Sequence, residues 1–274
     1  MDTRSLKRTA ALALFFALVA LASLLTATYA WFSGANRQVS AGRAEARTGD
    51  VDLTLYLSKT TDFSEKLTAC DIVQVNAADS GFLMPVSTDD LVHFVTAAGS
   101  VDDTVRAFRP VEDESDYYHG RIYLMAQGDD ALHGEQVNLF WDAKGGSPLA
   151  QDSPLQSAAR LGLVFRQEDT VLQTRILSLT ESSTPEATMN TVVNGVALTA
   201  GFVLQSNAAG EVTPVPDPAV PWDDFRQEPL CTLERGKVYT LDIYFYLEGC
   251  DPDCVNAMQT KEGELALWFF AVPV

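Results

Sequence analysis

Two hydrophobic patterns divide this chain. Residues 1–9 carry Arg4, Lys7 and Arg8 against one acid, Asp2, and Ala10 to Ala30 is then uninterrupted by charge, AALALFFALVALASLLTATYA. Beyond Asp50 the period changes to two. In VDLTLYL, Val51, Leu53, Leu55 and Leu57 fall on one side and Asp52, Thr54 and Tyr56 on the other. A long all-round apolar run after a basic start predicts a hydrophobic helix for export or anchoring. Strict alternation predicts strands with one buried face.

Strand-like runs recur at 71–75, 91–95, 121–126, 137–141, 160–165, 171–179, 191–198 and 201–206. Two long ones close the chain, KVYTLDIYFYL at 237–247 and ELALWFF at 264–270. Turn-forming clusters such as Asp79-Ser80-Gly81 and Gly145-Gly146-Ser147-Pro148 separate them. The pattern predicts a mainly β protein, an antiparallel β-sandwich of jelly-roll type, preceded by one N-terminal hydrophobic helix. Short helical pieces are expected only near 61–67, 152–159 and 254–259. The expected organisation is a signal peptide or anchor helix at 1–30, a flexible lead-in at 31–50 and a β domain at 51–274. In EVTPVPDPAVPWDDF, 211–225, closely spaced prolines exclude helix and central strand, so this segment is expected to be a surface loop.

The 274 residues hold 37 acids against 19 Lys and Arg, a formal net charge of −18. That balance argues against nucleic acid and against anionic lipid as partners, both of which call for clustered cations. Four cysteines, Cys70, Cys231, Cys250 and Cys254, are an even count in an exported chain, and disulfides are expected. Cys250 and Cys254 are close enough in sequence to clip one loop, which leaves Cys70 to meet Cys231. Free buried thiols are the alternative.

The end of the apolar run reads Thr28-Tyr29-Ala30 and is followed by Trp31-Phe32. Small residues at Thr28 and Ala30 suit cleavage by a signal peptidase between Ala30 and Trp31. The run is also long enough to span a bilayer uncleaved, with the basic end in the cytoplasm. Together with the alternating strand that follows and the ending LEGCDPDCVNA, this site resembles the Gram-positive exported proteins processed by SipW-type signal peptidases, the TasA/camelysin-like group. The resemblance implies a jelly-roll sandwich that self-assembles when an N-terminal strand enters the next subunit, with Trp31 to Arg47 as the donor.

Catalytic motifs are missing from the sequence. It contains no HExxH, GxSxG, P-loop or GxGxxG, and its three histidines, His93, His119 and His133, are scattered. No enzyme activity and no cofactor are expected. Glu248, Asp251 and Asp253 in the loop EGCDPDC are the one candidate for calcium, although three carboxylates do not complete its shell of six to eight oxygens. The competing expectation is a tight acidic turn in which Asp251 and Asp253 cap a short helix starting near Cys254. Tyr244 and Tyr246 fall opposite Phe245 and are expected on the solvent side, where they would offer rings to a glycan. The expected role is an extracellular or cell-surface structural protein. The alternative is a membrane-anchored ectodomain that binds glycan or protein.

Overall fold

The alternating segment at 53–58 forms a strand with Leu53, Leu55 and Leu57 inward and Thr54 outward, as its period requires. The computed structural model describes residues 44–48, 53–65, 83–101, 104–112, 116–128, 135–141, 148–149, 153, 155–179, 188–193, 196–199, 201–207, 209–226, 228–254, 265 and 267–274. The hydrophobic segment 1–30, the strand expected at 71–75 and Cys70 lie outside these residues. No α-helix occurs among the described residues. Those at 61–65 and 155–158, where helical pieces were expected, form turns and bends.

The strands in chain order are β1 (Ala44–Thr48), β2 (Leu53–Ser58), β3 (Pro85–Ser87), β4 (Val95–Val101), β5 (Thr104–Pro110) and β6 (Tyr118–Gly128). They continue as β7 (Gln136–Trp141), β8 (Ala159–Gln167), β9 (Thr170–Ser178), β10 (Thr188–Val193), β11 (Val196–Thr199) and β12 (Phe202–Ser206). The last are β13 (Val212–Pro216), β14 (Val220–Pro221), β15 (Cys231–Glu234), β16 (Tyr239–Glu248) and β17 (Leu267–Pro273). One sheet has the order β1-β17-β7-β15. A larger one runs β11-β10-β5-β4-β3-β16-β8-β9-β14, with β6 also paired to β16 and β2 to β6. β12 and β13 form a separate hairpin.

The two large sheets share one apolar core. Leu139, Trp141, Leu267 and Phe269 from the smaller sheet cluster with Leu55, Leu124, Phe165, Leu241 and Phe245 from the larger. The sheets are mixed, which departs from the antiparallel expectation. β1 runs parallel to β17, β3 to β16, β10 to β5 and β14 to β9. β16 lies at the centre. It pairs with β8 along Thr240–Leu247 on one side, and with β6 and then β3 on the other.

Three local expectations are corrected. The run at 91–95 is a turn that becomes strand only at Val95, and Leu91 sits at a left-handed φ of 60°. The proline segment does form strand, but only at edges, where a missing N–H removes no central ladder bond. Among the described residues β13 pairs with β12 alone and β14 with β9 alone, and a 3-10 turn, Trp222–Arg226, follows. Within the lead-in, Ala44–Thr48 form β1 and so belong to a sheet.

Leu91 covers the outer face of the larger sheet. It is buried directly over Gly162 of β8, where an added Cβ would come within 2.6 Å of both Leu91 methyl groups and 3.1 Å of the Tyr244 Cβ. Gly162→Ala is therefore expected to destabilise by about 1–3 kcal/mol through overpacking. Leu91→Ala is expected to cost about 2–5 kcal/mol. Urea denaturation of the double variant should show a loss smaller than the sum of the two single losses. Additive losses would mean that Leu91 and Gly162 do not meet.

Candidate functional site

Along β16 the odd positions Tyr239, Leu241, Ile243, Phe245 and Leu247 enter the main core. The even positions Asp242, Tyr244, Tyr246 and Glu248 read as a solvent face, but all four are buried. Exposure of Tyr244 and Tyr246 is thereby corrected. The reason is a second layer. Val86, Leu91, Phe94, Tyr117, Val164 and Ile176 pack with the two tyrosines, and Val111 and Ala219 lie against them. Phe94 stacks on Tyr117 at 4.0 Å between ring centroids and meets Tyr246 edge-on at 5.6 Å. His119 belongs to β6 and stacks on Tyr244 at 4.4 Å.

The loop bearing Leu91 and Phe94 is folded by its own side chains. Thr88 Oγ1 accepts the N–H of Asp90 and Leu91, at 3.3 and 3.1 Å. Asp90 Oδ1 accepts the N–H of Val92 and His93, both at 2.8 Å. Such side-chain capping stands in for a backbone ladder. Asp90 Oδ2 also lies 2.7 Å from His93 Nδ1, which gives the exposed His93 a place in the turn.

Two charged clusters flank the aromatic patch. At one end Asp242 is buried, and its two carboxylate oxygens accept the Nε–H groups of Arg121 and Arg166, with Arg166 at 3.1 Å. His119 Nε2 lies 3.5 Å from the same carboxylate. Burial alone would raise the Asp242 pKa, but the close His119 ring and the hydrogen bond from Arg121 outweigh it and hold the group at about 2.

At the other end Arg160 Nη2 donates to Asp251 Oδ2 at 2.8 Å and to Asp217 Oδ2 at 3.1 Å. Burial works against this cation, yet Asp217, Asp251 and Glu248 keep its pKa above the ordinary arginine value. Glu248 behaves oppositely. It is fully enclosed, burial pushes its pKa up to about 8, and its Oε2 has no hydrogen-bond partner. Its Oε1 accepts the Cys250 N–H at 3.1 Å.

The predicted site residues are divided by this arrangement. Thr28, Ala30, Trp31 and Cys70 lie outside the described residues. Of the calcium candidates, Asp251 faces Arg160 and accepts the Asp253 N–H at 2.9 Å, Glu248 is enclosed, and Asp253 is exposed. They do not converge, and no group of three or more His, Cys, Asp or Glu poised for a metal occurs among the described residues. Hydrogen bonds to Asp251 form the turn, with Cys254 N–H donating to Asp251 O at 2.9 Å, and the helix expected beyond Cys254 lies outside the described residues. Cys231, Cys250 and Cys254 are free thiols, so no bond links Cys250 to Cys254. Burial pushes the Cys231 thiol up to about 11 and the Cys254 thiol up to about 12. High values of this kind make poor nucleophiles at neutral pH.

Sequence reasoning missed Arg121, Arg160, Arg166 and Asp217. The one signal was Arg121 and Arg160, each opening a predicted strand run, with Arg166 directly after the second; Asp217 had none. Compared with known proteins, the chain matches no family model, no curated protein and no solved structure.

Glu248 supplies a pH test. Its folded pKa lies above the ordinary 4.5, so its contribution to stability is complete below that value and is lost as pH rises through about 8. Glu248→Gln should therefore leave the urea midpoint near pH 5 almost unchanged. At pH 9 it should raise stability by on the order of 1 kcal/mol or more relative to the parent. An identical pH dependence in the two proteins would show that Glu248 is ionised when folded.

Proposed function

We propose that the chain is an exported cell-surface or matrix protein with a structural role, a jelly-roll-like sandwich behind an N-terminal hydrophobic helix that assembles by strand addition. The observation that carries this reading is β1. Five residues at the end of the lead-in, Ala44–Thr48, add in parallel to β17 at the edge of the four-stranded sheet, in the register Ala44↔Leu267 to Thr48↔Ala271. β1 has no partner strand on its other side among the described residues. A terminal strand held at one edge can be exchanged for the same strand of a second copy, because the ladder it completes is identical. The resemblance of the Thr28-Tyr29-Ala30 site to SipW-type substrates supports export, and Trp31 to Arg47 overlaps β1.

The test uses the chain secreted from a Gram-positive host. The secreted protein is expected to begin at Trp31 and to form filaments in negative-stain electron microscopy as its concentration rises. Ala46→Pro fixes φ and removes a backbone N–H in the middle of β1, and is expected to leave monomers. A parent protein that stays strictly monomeric at high concentration would contradict the assembly reading. A protein retained with residues 1–30 intact would contradict release.

A further inference from the structure

The second layer covers only part of the outer sheet face. Beside Asp242, the residues Arg121, Tyr123, Arg166 and Thr240 are half-buried rather than enclosed. There the register sets Tyr123 of β6, Thr240 of β16 and Arg166 of β8 side by side across three strands, with Arg121 paired to Asp242 in the next row. Neighbouring strands lie about 4.8 Å apart and alternate residues on one strand about 6.7 Å apart. The patch therefore measures roughly 10 by 7 Å, the footprint of a single monosaccharide.

We infer that this patch binds the carboxylate of an acidic sugar, with Arg121 and Arg166 as the anion-binding fork and Tyr123 as the surface beside the ring. Asp242 is the built base of the site. Its side chain is 1% exposed, and it engages each arginine through Nε alone. The outer Nη1 and Nη2 edge of each guanidinium remains, and the two side chains are 42% and 29% exposed. Neither arginine makes another hydrogen bond or ion pair among the described residues.

One arginine would neutralise Asp242, so the second leaves a single positive charge in a chain of net charge −18. That excess matches a monoanion, and the planar donor edges match the two oxygens of a carboxylate. Glu168 and Asp169, in the turn just beyond Arg166, form no ion pair with it. Half-buried Tyr123 presents an aromatic surface of the kind that packs on a sugar ring, with the Thr240 hydroxyl alongside. The site does not depend on assembly and is expected in monomer and polymer alike.

The experiment is calorimetric titration of the full chain, in mild detergent, with an oligogalacturonate. A neutral malto-oligosaccharide and inorganic phosphate serve as the other probes. Saturable binding of the uronate alone is expected, weakened by salt. Arg166→Lys keeps the charge but loses the fork, and is expected to weaken binding at least tenfold. Tyr123→Leu leaves both arginines on Asp242 and should cost about three- to tenfold, with the circular dichroism spectrum unchanged. Absence of saturable uronate binding would overturn the proposal. So would phosphate binding as tightly as the uronate, or an Arg166→Lys protein that binds like the parent.

Discussion

β16 is buried on both faces, and the rest of the molecule is arranged around that fact. A strand at a sheet surface needs one apolar face. β16 carries Asp242 and Glu248 on its second face and encloses both. An isolated buried carboxylate is far too costly to keep ionised, so each must be paired or neutral. The two ends solve the problem differently. Asp242 takes guanidinium donors from both neighbouring strands and stays charged. Glu248, with one oxygen unpartnered, is held towards its neutral form while nearby Arg160 pairs with Asp251 and Asp217.

Those pairings determine what covers the sheet. Arg160 ties β8 to the turn after β16 through Asp251, and to the proline strap through Asp217. Asp217 also caps the strap by accepting the Ala219 N–H at 2.8 Å, and Ala219 packs against the tyrosine patch. Ser87 accepts the Leu204 N–H at 2.8 Å, which docks the β12–β13 hairpin onto β3. The second layer is thus assembled from loops and short edge strands, each fixed by one or two polar contacts. Its apolar content is small beside that of the main core, and its stability rests on those contacts being satisfied.

The main core was legible because period-two alternation is a strong signal. β2, β6, β7, β8, β9 and β16 fall where the sequence runs placed them, and the buried side of β16 is the predicted one. The second layer was not legible. Alternation states which face is apolar, but Tyr244, Tyr246, Asp242 and Glu248 look like a solvent face until Leu91 and Phe94 are brought over them. Leu91 itself lay in an apolar run that read as strand, and only the capping by Thr88 and Asp90 turns it into a plug. The partners of Asp242 and Arg160 are distant in sequence, Arg121 and Asp217 among them, so no local spacing reveals them. Prolines at the strap correctly excluded a central strand but left edge pairing open.

If the doubly buried β16 is the spine of the fold, its amides should be the last to open. Native-state hydrogen exchange followed residue by residue tests this most directly. The account predicts that Leu241 to Leu247 exchange only through global unfolding, with protection equal to the full unfolding free energy, while β12, β13 and β14 open earlier. Exchange of β16 through a smaller, local opening, with the smaller sheet still protected, would contradict it.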